Sequence, residues 1–106
     1  MGSIQLCRKP HYTGGWEYFS RLEMYDPLPA GRLASGYIYY TRLGSGPDYL
    51  SCDSHVGAIK PGGTLCYSTD VLNDELIVDL RATGRAWYWN GTDWVLYAQG
   101  TTAWFD

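Results

Sequence analysis

Apolar and polar residues alternate over short stretches of the chain, and glycine and proline separate these stretches from one another. Alternation with a period of two is typical of β-strands that have one buried face. The pattern predicts strands over residues 4–8, 16–25, 32–42, 55–60, 64–68, 75–81, 85–89 and 93–98, with an edge strand or docking tail over 101–105. It predicts turns or loops over 11–15, 26–31, 43–48 and 61–63. We therefore expect an all-β fold, either a compact antiparallel β-sandwich or a small β-barrel.

Residues 75–81 admit a second interpretation. Leu76, Val78 and Leu80 alternate with the positions between them, which favours a strand. Asp70 could instead cap a helix that runs through the same residues. We take the strand, and the expected fold leaves room for one short helix.

The length of the chain indicates a single domain. It has 106 residues, and no linker or low-complexity stretch divides it. We expect one β domain over residues 1–106, with 1–15 as an extended N-terminal arm and 99–106 as a docking tail. Residues 4–8 belong either to that arm or to a first strand.

The densest aromatic segment is AWYWNGTDWVLYA, residues 86–98. Asn90-Gly91 at its centre predicts a hairpin, because both residues tolerate the positive φ of a type I′ turn. A two-residue loop and a four-residue loop are both compatible with the sequence, and the longer loop pairs Trp89 with Trp94.

In either register Trp87, Trp89 and Trp94 share one face of the hairpin, because side chains alternate along a strand. The opposite face carries Ala86, Tyr88, Val95 and Tyr97. Three interpretations of the indole face are open: it is buried in the core, it is a flat surface for sugar rings, or it is a protein interface. Large aromatic side chains are most often buried, which favours the core.

A run of tyrosines marks the predicted strand over 32–42. Alternation places Tyr37 and Tyr39 on one face and Ile38 and Tyr40 on the other. Large rings on both faces indicate a strand covered on both sides, in a core or at a packed interface.

The aromatic content and the net charge of the chain limit the kinds of partner that it is expected to bind. The 10 Tyr and 5 Trp are more rings than so small a domain can bury, so some are expected to face a partner. The net charge is −3 without a basic run, which argues against nucleic acid and anionic membranes. There is no apolar run long enough to cross a bilayer and no signal peptide, so we expect synthesis in the cytoplasm.

The cysteines and histidines allow one metal-site hypothesis. An odd number of cysteines without an export signal predicts buried free thiols rather than disulfides. Alternatively, Cys7, His11, Cys52, His55 and Cys66 form two short Cys-His spacings and a fifth ligand that could hold zinc. No other cofactor is expected.

Catalytic patterns are weak. The adjacent Asp53, Ser54 and His55 cannot form a triad, because neighbours in sequence do not meet in that geometry. The glycine-rich stretches lack the Lys-Ser/Thr of a phosphate loop. We therefore do not expect an enzyme.

The segment GRAWYWNGTDWVLYAQG, residues 84–100, resembles a segment of tailed-phage virion proteins, in which an aromatic-Trp pair meets an Asn/Asp-Gly-Thr turn followed by Trp-Val. The resemblance covers about a sixth of the chain. It implies a small virion accessory protein, such as a capsid decoration or tail-associated protein.

We therefore expect docking on a protein lattice or homo-oligomer, with a carbohydrate-binding module and a zinc-stapled interaction domain as alternatives. The expected contact residues are Trp87, Trp89, Trp94, Tyr88, Tyr97, Trp104 and Phe105.

Overall fold

The computed structural model describes residues 2–55, 57–73 and 77–102. Within them the chain forms the strands β1 (Gly2–Pro10), β2 (Trp16–Met24), β3 (Arg32–Arg42), β4 (Gly46–Ser51), β5 (Leu65–Tyr67), β6 (Val71–Asn73), β7 (Ile77–Trp89) and β8 (Trp94–Thr101), with one turn of 3₁₀ helix at Cys52–Ser54. The expected all-β fold is confirmed, and it is a sandwich of two antiparallel sheets.

The first sheet, sheet I, is centred on β2. Strand β1 pairs with the whole length of β2 on one side, and β5 and β6 pair with its two ends on the other side. The second sheet, sheet II, has the order β4-β3-β7-β8. Of the two alternatives for the N-terminal residues, the structure shows the strand.

The core lies between the sheets and consists of two apolar clusters. One contains the buried Leu22 and Met24 of sheet I against Ala34 and Ala86 of sheet II. The other packs Tyr18 and Val71 against Ile38 and Leu80. Even-numbered residues of β2, β3 and β7 face inward, so their odd-numbered neighbours form the outer faces.

Three glycines form a row across the inner face of sheet II. In the strand register Gly36 pairs with Gly84, and Gly84 pairs with Gly100. A Cβ on Gly84 would lie 2.9 Å from Leu22 Cδ1 and 3.4 Å from Ile4 Cβ. A side chain at Gly84 would therefore collide with sheet I, and the glycine lets the two sheets approach closely.

Some predicted boundaries are wrong. Residues 57–60 form no strand, and Ile59 only exchanges two backbone hydrogen bonds with Ala34. Strand β4 begins at Gly46, inside the predicted loop. Ile77 to Arg81 belong to β7, which confirms the preferred strand there, while residues 74–76 lie outside the described residues.

Two of the three cysteines are bonded to each other. Cys52, just after β4, and Cys66, in β5, form a disulfide that joins sheet II to sheet I, and both residues are fully buried. The expectation of free thiols is wrong for this pair. The hydrophobic pattern cannot reveal the pairing, because it depends on how the two sheets stack. Cys7 is a free thiol, on the outer side of sheet I opposite Phe19.

Candidate functional site: an aromatic outer face

The hairpin between β7 and β8 has the longer of the two predicted loops. Trp89 pairs with Trp94, and residues 90–93 form the loop between them. The Asn90 side-chain oxygen accepts hydrogen bonds from the backbone N–H groups of Thr92 and Asp93, each 2.8 Å long. Gly91 has a φ of 101°, a conformation that strongly favours glycine. The loop is thus closed by local interactions that the sequence encodes.

The indole face of the hairpin points away from the core. Trp89 and Trp94 are 47% and 45% exposed, and their ring centroids lie 5.5 Å apart at an interplanar angle of 59°. Trp87 is partly buried on the same outer face, where it pairs with Leu96. The interpretation of this face as core is therefore wrong. The inner positions of β7 on the other side of these indoles carry Gly84, Ala86 and, nearest the hairpin, Tyr88, and at Gly84 even a Cβ would lie 2.9 Å from Leu22 Cδ1.

Tyr88 and Tyr97 lie on the opposite side. A register shift after Ala86 leaves Tyr97 as an extra residue in β8, and its ring lies 6.0 Å from that of Tyr88. The Arg32 guanidinium stacks over both rings, 4.8 Å from Tyr97 and 5.6 Å from Tyr88. These two tyrosines therefore close one end of the core and do not extend the indole face.

Tyrosines continue the outer face of sheet II. The Tyr37 and Tyr39 centroids are 6.1 Å apart at 27°, and Tyr49 of β4 lies 5.9 Å from Tyr37 and 5.5 Å from Tyr39. Trp87 meets Tyr37 edge-on at 6.5 Å, which connects the tyrosines to the indoles. We call the combined surface the aromatic outer face. It comprises Tyr37, Tyr39, Tyr49, Trp87, Trp89 and Trp94.

Two arginines of β7 lie within this face. The Arg85 guanidinium is 4.8 Å from the Tyr37 centroid and 5.6 Å from that of Tyr39, and the Arg81 guanidinium is 5.2 Å from Tyr39. Such stacking stabilises a cation over the negative face of a ring. Arg85 Nε also donates a hydrogen bond of 3.1 Å to Gln99 Oε1. Positive charge is thus held among the tyrosines.

The tyrosine hydroxyl at the centre of this cluster stays neutral. Burial raises the pKa of Tyr37 above its ordinary value, the nearby Asp53 carboxylate raises it further, and Arg85 opposes both. Asp53 itself lies at the rim of the face, where it accepts a hydrogen bond of 3.4 Å from Ser35 Oγ. Tyr37 therefore contributes a neutral phenol to the surface at neutral pH.

The outer face of sheet I has a different character. Lys9 Nζ lies 2.8 Å from Asp70 Oδ2, and Arg21 Nη2 lies 2.9 Å from Glu23 Oε2. Exposed ion pairs of this kind belong to a solvated surface and contribute little to stability. Sheet I also carries rings, with the Phe19 and Tyr67 centroids 5.8 Å apart and Lys9 over Phe19. Lys9 and Arg21 are paired with carboxylates, however, and the larger ring cluster with two exposed indoles makes the outer face of sheet II the candidate functional surface.

The structure does not assemble the five residues of the zinc hypothesis. Cys52 and Cys66 are bonded to each other, and a disulfide sulfur is not the thiolate that zinc binds. Cys7 is in β1, and His11 follows it in a turn where Nδ1 shares a hydrogen bond of 2.6 Å with Thr13 Oγ1. In the part of the chain that the structure describes, no group of three or more His, Cys, Asp or Glu side chains could hold a metal ion.

Three residues of the face do not stand out in the sequence. Tyr49 follows a predicted loop, and Arg81 and Arg85 look like ordinary strand residues. Alternation within β7 places Arg81 and Arg85 on the same side as Trp87, which is the one signal the sequence offers. Tyr49 comes next to Tyr39 only through the pairing of β3 with β4. Two predicted contact residues, Trp104 and Phe105, lie outside the described residues.

No protein-family model matches the chain, and neither a curated protein nor a solved structure is significantly similar to it. Across the described residues there is no helix with the length and apolar character that a membrane crossing needs.

Proposed function

We propose that this is a non-catalytic assembly protein, which docks on a repeated protein surface through its aromatic outer face. The observation that carries the proposal is six large rings on one outer face, two of them indoles that are nearly half exposed. Contiguous apolar surface of this kind, with Trp, Tyr and Arg, is typical of interfaces. The resemblance of residues 84–100 to tailed-phage virion proteins suggests which kind of assembly protein this is: a capsid decoration or tail-associated protein.

Burial of the rings supplies the binding energy. Each large ring removed from water contributes about 1.5–3 kcal/mol, part of which offsets the cost of association. A lattice offers many equivalent sites, so a multivalent accessory gains further affinity from avidity. The disulfide between Cys52 and Cys66 suits a particle that works outside a reducing cytosol.

A carbohydrate-binding module is the second candidate. Its support is the small angle of 27° between Tyr37 and Tyr39, which offers two nearly parallel rings to a sugar chain. Against it, Trp89 and Trp94 are inclined at 59° to each other and present no common plane. A surface whose rings are inclined to one another fits an irregular protein partner better than it fits a row of flat sugar rings.

The test is co-sedimentation of the protein with purified tailed-phage capsids and tails, together with its mass in solution and a glycan array. We expect capsid or tail binding that Tyr49→Ala weakens. Tyr25→Ala is the matched control, because Tyr25 is 65% exposed against 54% for Tyr49 but follows β2, away from the face. A protein that stays monomeric and binds no capsid or tail would contradict the proposal, and glycan hits lost with Tyr37→Ala would establish the alternative.

A further inference from the structure

Arg85 lies inside the aromatic outer face rather than at its edge. In the register of sheet II it pairs with Ser35 of β3 on one side and with Gln99 of β8 on the other. Tyr37 and Trp87 flank it along the same outer side, and their rings contact each other edge-on. A ligand that covers the rings would therefore also cover this guanidinium.

The guanidinium is held in place before any partner arrives. It stacks on Tyr37 and Tyr39 at 4.8 and 5.6 Å, and its Nε donates to Gln99 Oε1 at 3.1 Å. The guanidinium also donates a hydrogen bond to the Tyr37 hydroxyl. Together these contacts limit the freedom that binding would otherwise remove. A planar fork fixed in this way is well suited to a planar, bidentate acceptor.

Among the described residues, no carboxylate forms an ion pair with Arg85. On the other side of the sandwich, by contrast, Arg21 is paired with Glu23 and Lys9 with Asp70. An arginine that is partly buried among rings and lacks an acidic partner is a cation that a bound anion would neutralise.

We infer that Arg85 is the anion-binding residue of the aromatic outer face, and that the docking partner is a protein surface that presents a carboxylate side chain to it. This inference rests on the proposed function, and it specifies the chemistry of the partner. The rings around Arg85 would exclude water from the Arg85-carboxylate pair. At many interfaces, contacts that contribute little binding energy themselves exclude water in this way around the residue that dominates binding. In that environment a bidentate Arg-carboxylate pair is strong and directional.

The charge of the molecule favours a single carboxylate over a polyanion. The chain has a net charge of −3 and no basic run, so a nucleic acid strand would be repelled at long range. Arg81 stacks on Tyr39 at 5.2 Å, whereas Arg85 stacks on both Tyr37 and Tyr39. One carboxylate on an otherwise apolar partner surface therefore matches Arg85, the guanidinium with rings on two sides.

The first experiment uses the free protein and two small probes. The isotope-labelled protein is titrated with N-acetyl-glutamate methylamide and with its neutral counterpart, N-acetyl-glutamine methylamide, while the Arg85 Nε–H and Gln99 side-chain resonances are followed by NMR. We expect saturable shifts in the millimolar range with the glutamate probe only. Arg85→Gln should abolish them, and Arg21→Gln, the matched loss of one charge on the other sheet, should leave them unchanged. Equal shifts with both probes, or shifts that survive in Arg85→Gln, would overturn the inference.

The second experiment measures docking on whichever capsid or tail the protein binds. Arg85→Gln should weaken docking roughly ten- to hundredfold, and Arg85→Lys should recover only part of it, because lysine keeps the charge but loses the fork. Urea unfolding of each variant shows whether it is folded. If Trp89→Ala loses docking while a folded Arg85→Gln retains it, the proposed function stands and the role of Arg85 is refuted. If the probes bind at Arg85 but no capsid or tail binds, the proposed function fails and the anion site remains.

Discussion

Trp89 lies directly opposite Trp94 across the β7–β8 hairpin, with ring centroids 5.5 Å apart and about half of each side chain exposed. A pair in this position stabilises the fold only modestly. Trp89→Ala should lower the free energy of unfolding by roughly 0.5–1.5 kcal/mol, measured by urea unfolding. Its effect on docking should be far larger.

The comparison variant is Ile38→Ala, in β3. Ile38 is smaller than tryptophan but fully buried against Leu80 and Tyr18. Its truncation should cost about 2–5 kcal/mol because it leaves a cavity. If Trp89→Ala were the more destabilising of the two, the indole face would have to be part of the core.

The spacing of the two sheets depends on Gly84. Gly84→Ala should lower stability by roughly 1–3 kcal/mol, because the new Cβ would meet Leu22 Cδ1 at 2.9 Å within a packed core. Thermal or urea unfolding measures the effect.

Gly100→Ala is the matched control in the same row of glycines. Its Cβ would meet nothing closer than Ile4 Cγ2, at 3.7 Å, which is ordinary van der Waals contact. This variant should be neutral or slightly more stable, because alanine restricts the unfolded chain. Equal destabilisation by both variants would mean that strand geometry, rather than the approach of sheet I, requires the glycines.

The thiol content of the protein should be one per chain. A thiol reagent added to the denatured, unreduced protein should detect only Cys7, and prior reduction should raise the count to three. Loss of the cross-link should lower stability by about 3 kcal/mol for a loop of this length. Three thiols before reduction would contradict the disulfide.

The reactivity of Cys7 should depend on pH in a defined direction. Burial raises the pKa of its thiol above the ordinary value, and the positive charge of Arg21 offsets this only in part. The thiolate is the reactive form, so alkylation of the folded protein should be slow at neutral pH and should accelerate through a midpoint above that of a free cysteine. Because the pKa of the Cys7 thiol is higher in the folded protein than in the unfolded one, the protonated thiol contributes to stability at low pH. That contribution declines as the pH rises through the pKa of the folded protein. A midpoint below that of the unfolded protein would contradict the burial of Cys7.

Local sequence patterns predict the elements of this fold but not their packing. Asn90-Gly91 encodes its own loop, and alternation alone places Trp87, Trp89 and Trp94 on one face of the hairpin. The choice between inside and outside depends on the other sheet. Sheet I comes close to β7 at Gly84, where a Cβ would lie 2.9 Å from Leu22 Cδ1. Because Gly84 and Ala86 face sheet I, alternation leaves Trp87 and Trp89 on the outer side.

The same reason explains the error on the cysteines. Cys52 and Cys66 are 14 residues apart in sequence and belong to different sides of the sandwich, so only the stacking of the sheets brings them together. The importance of Arg85 is hidden from the sequence for a related reason. Arg85 stacks on Tyr37, a residue of β3, and the pairing of β3 with β7 brings the two side chains together. The sequence of β7 alone shows only a charged residue near aromatic ones.

The Cys52–Cys66 disulfide also determines how the molecule responds to force. When the two ends of the chain are pulled apart, tension passes through the sulfur–sulfur link and bypasses the residues between the cysteines. With 14 peptide units enclosed and the two Cα atoms 5.9 Å apart, the oxidised chain should extend about 40 Å less than the reduced one. A molecule pulled at both ends would therefore extend less when oxidised, and its two sheets would stay connected under load.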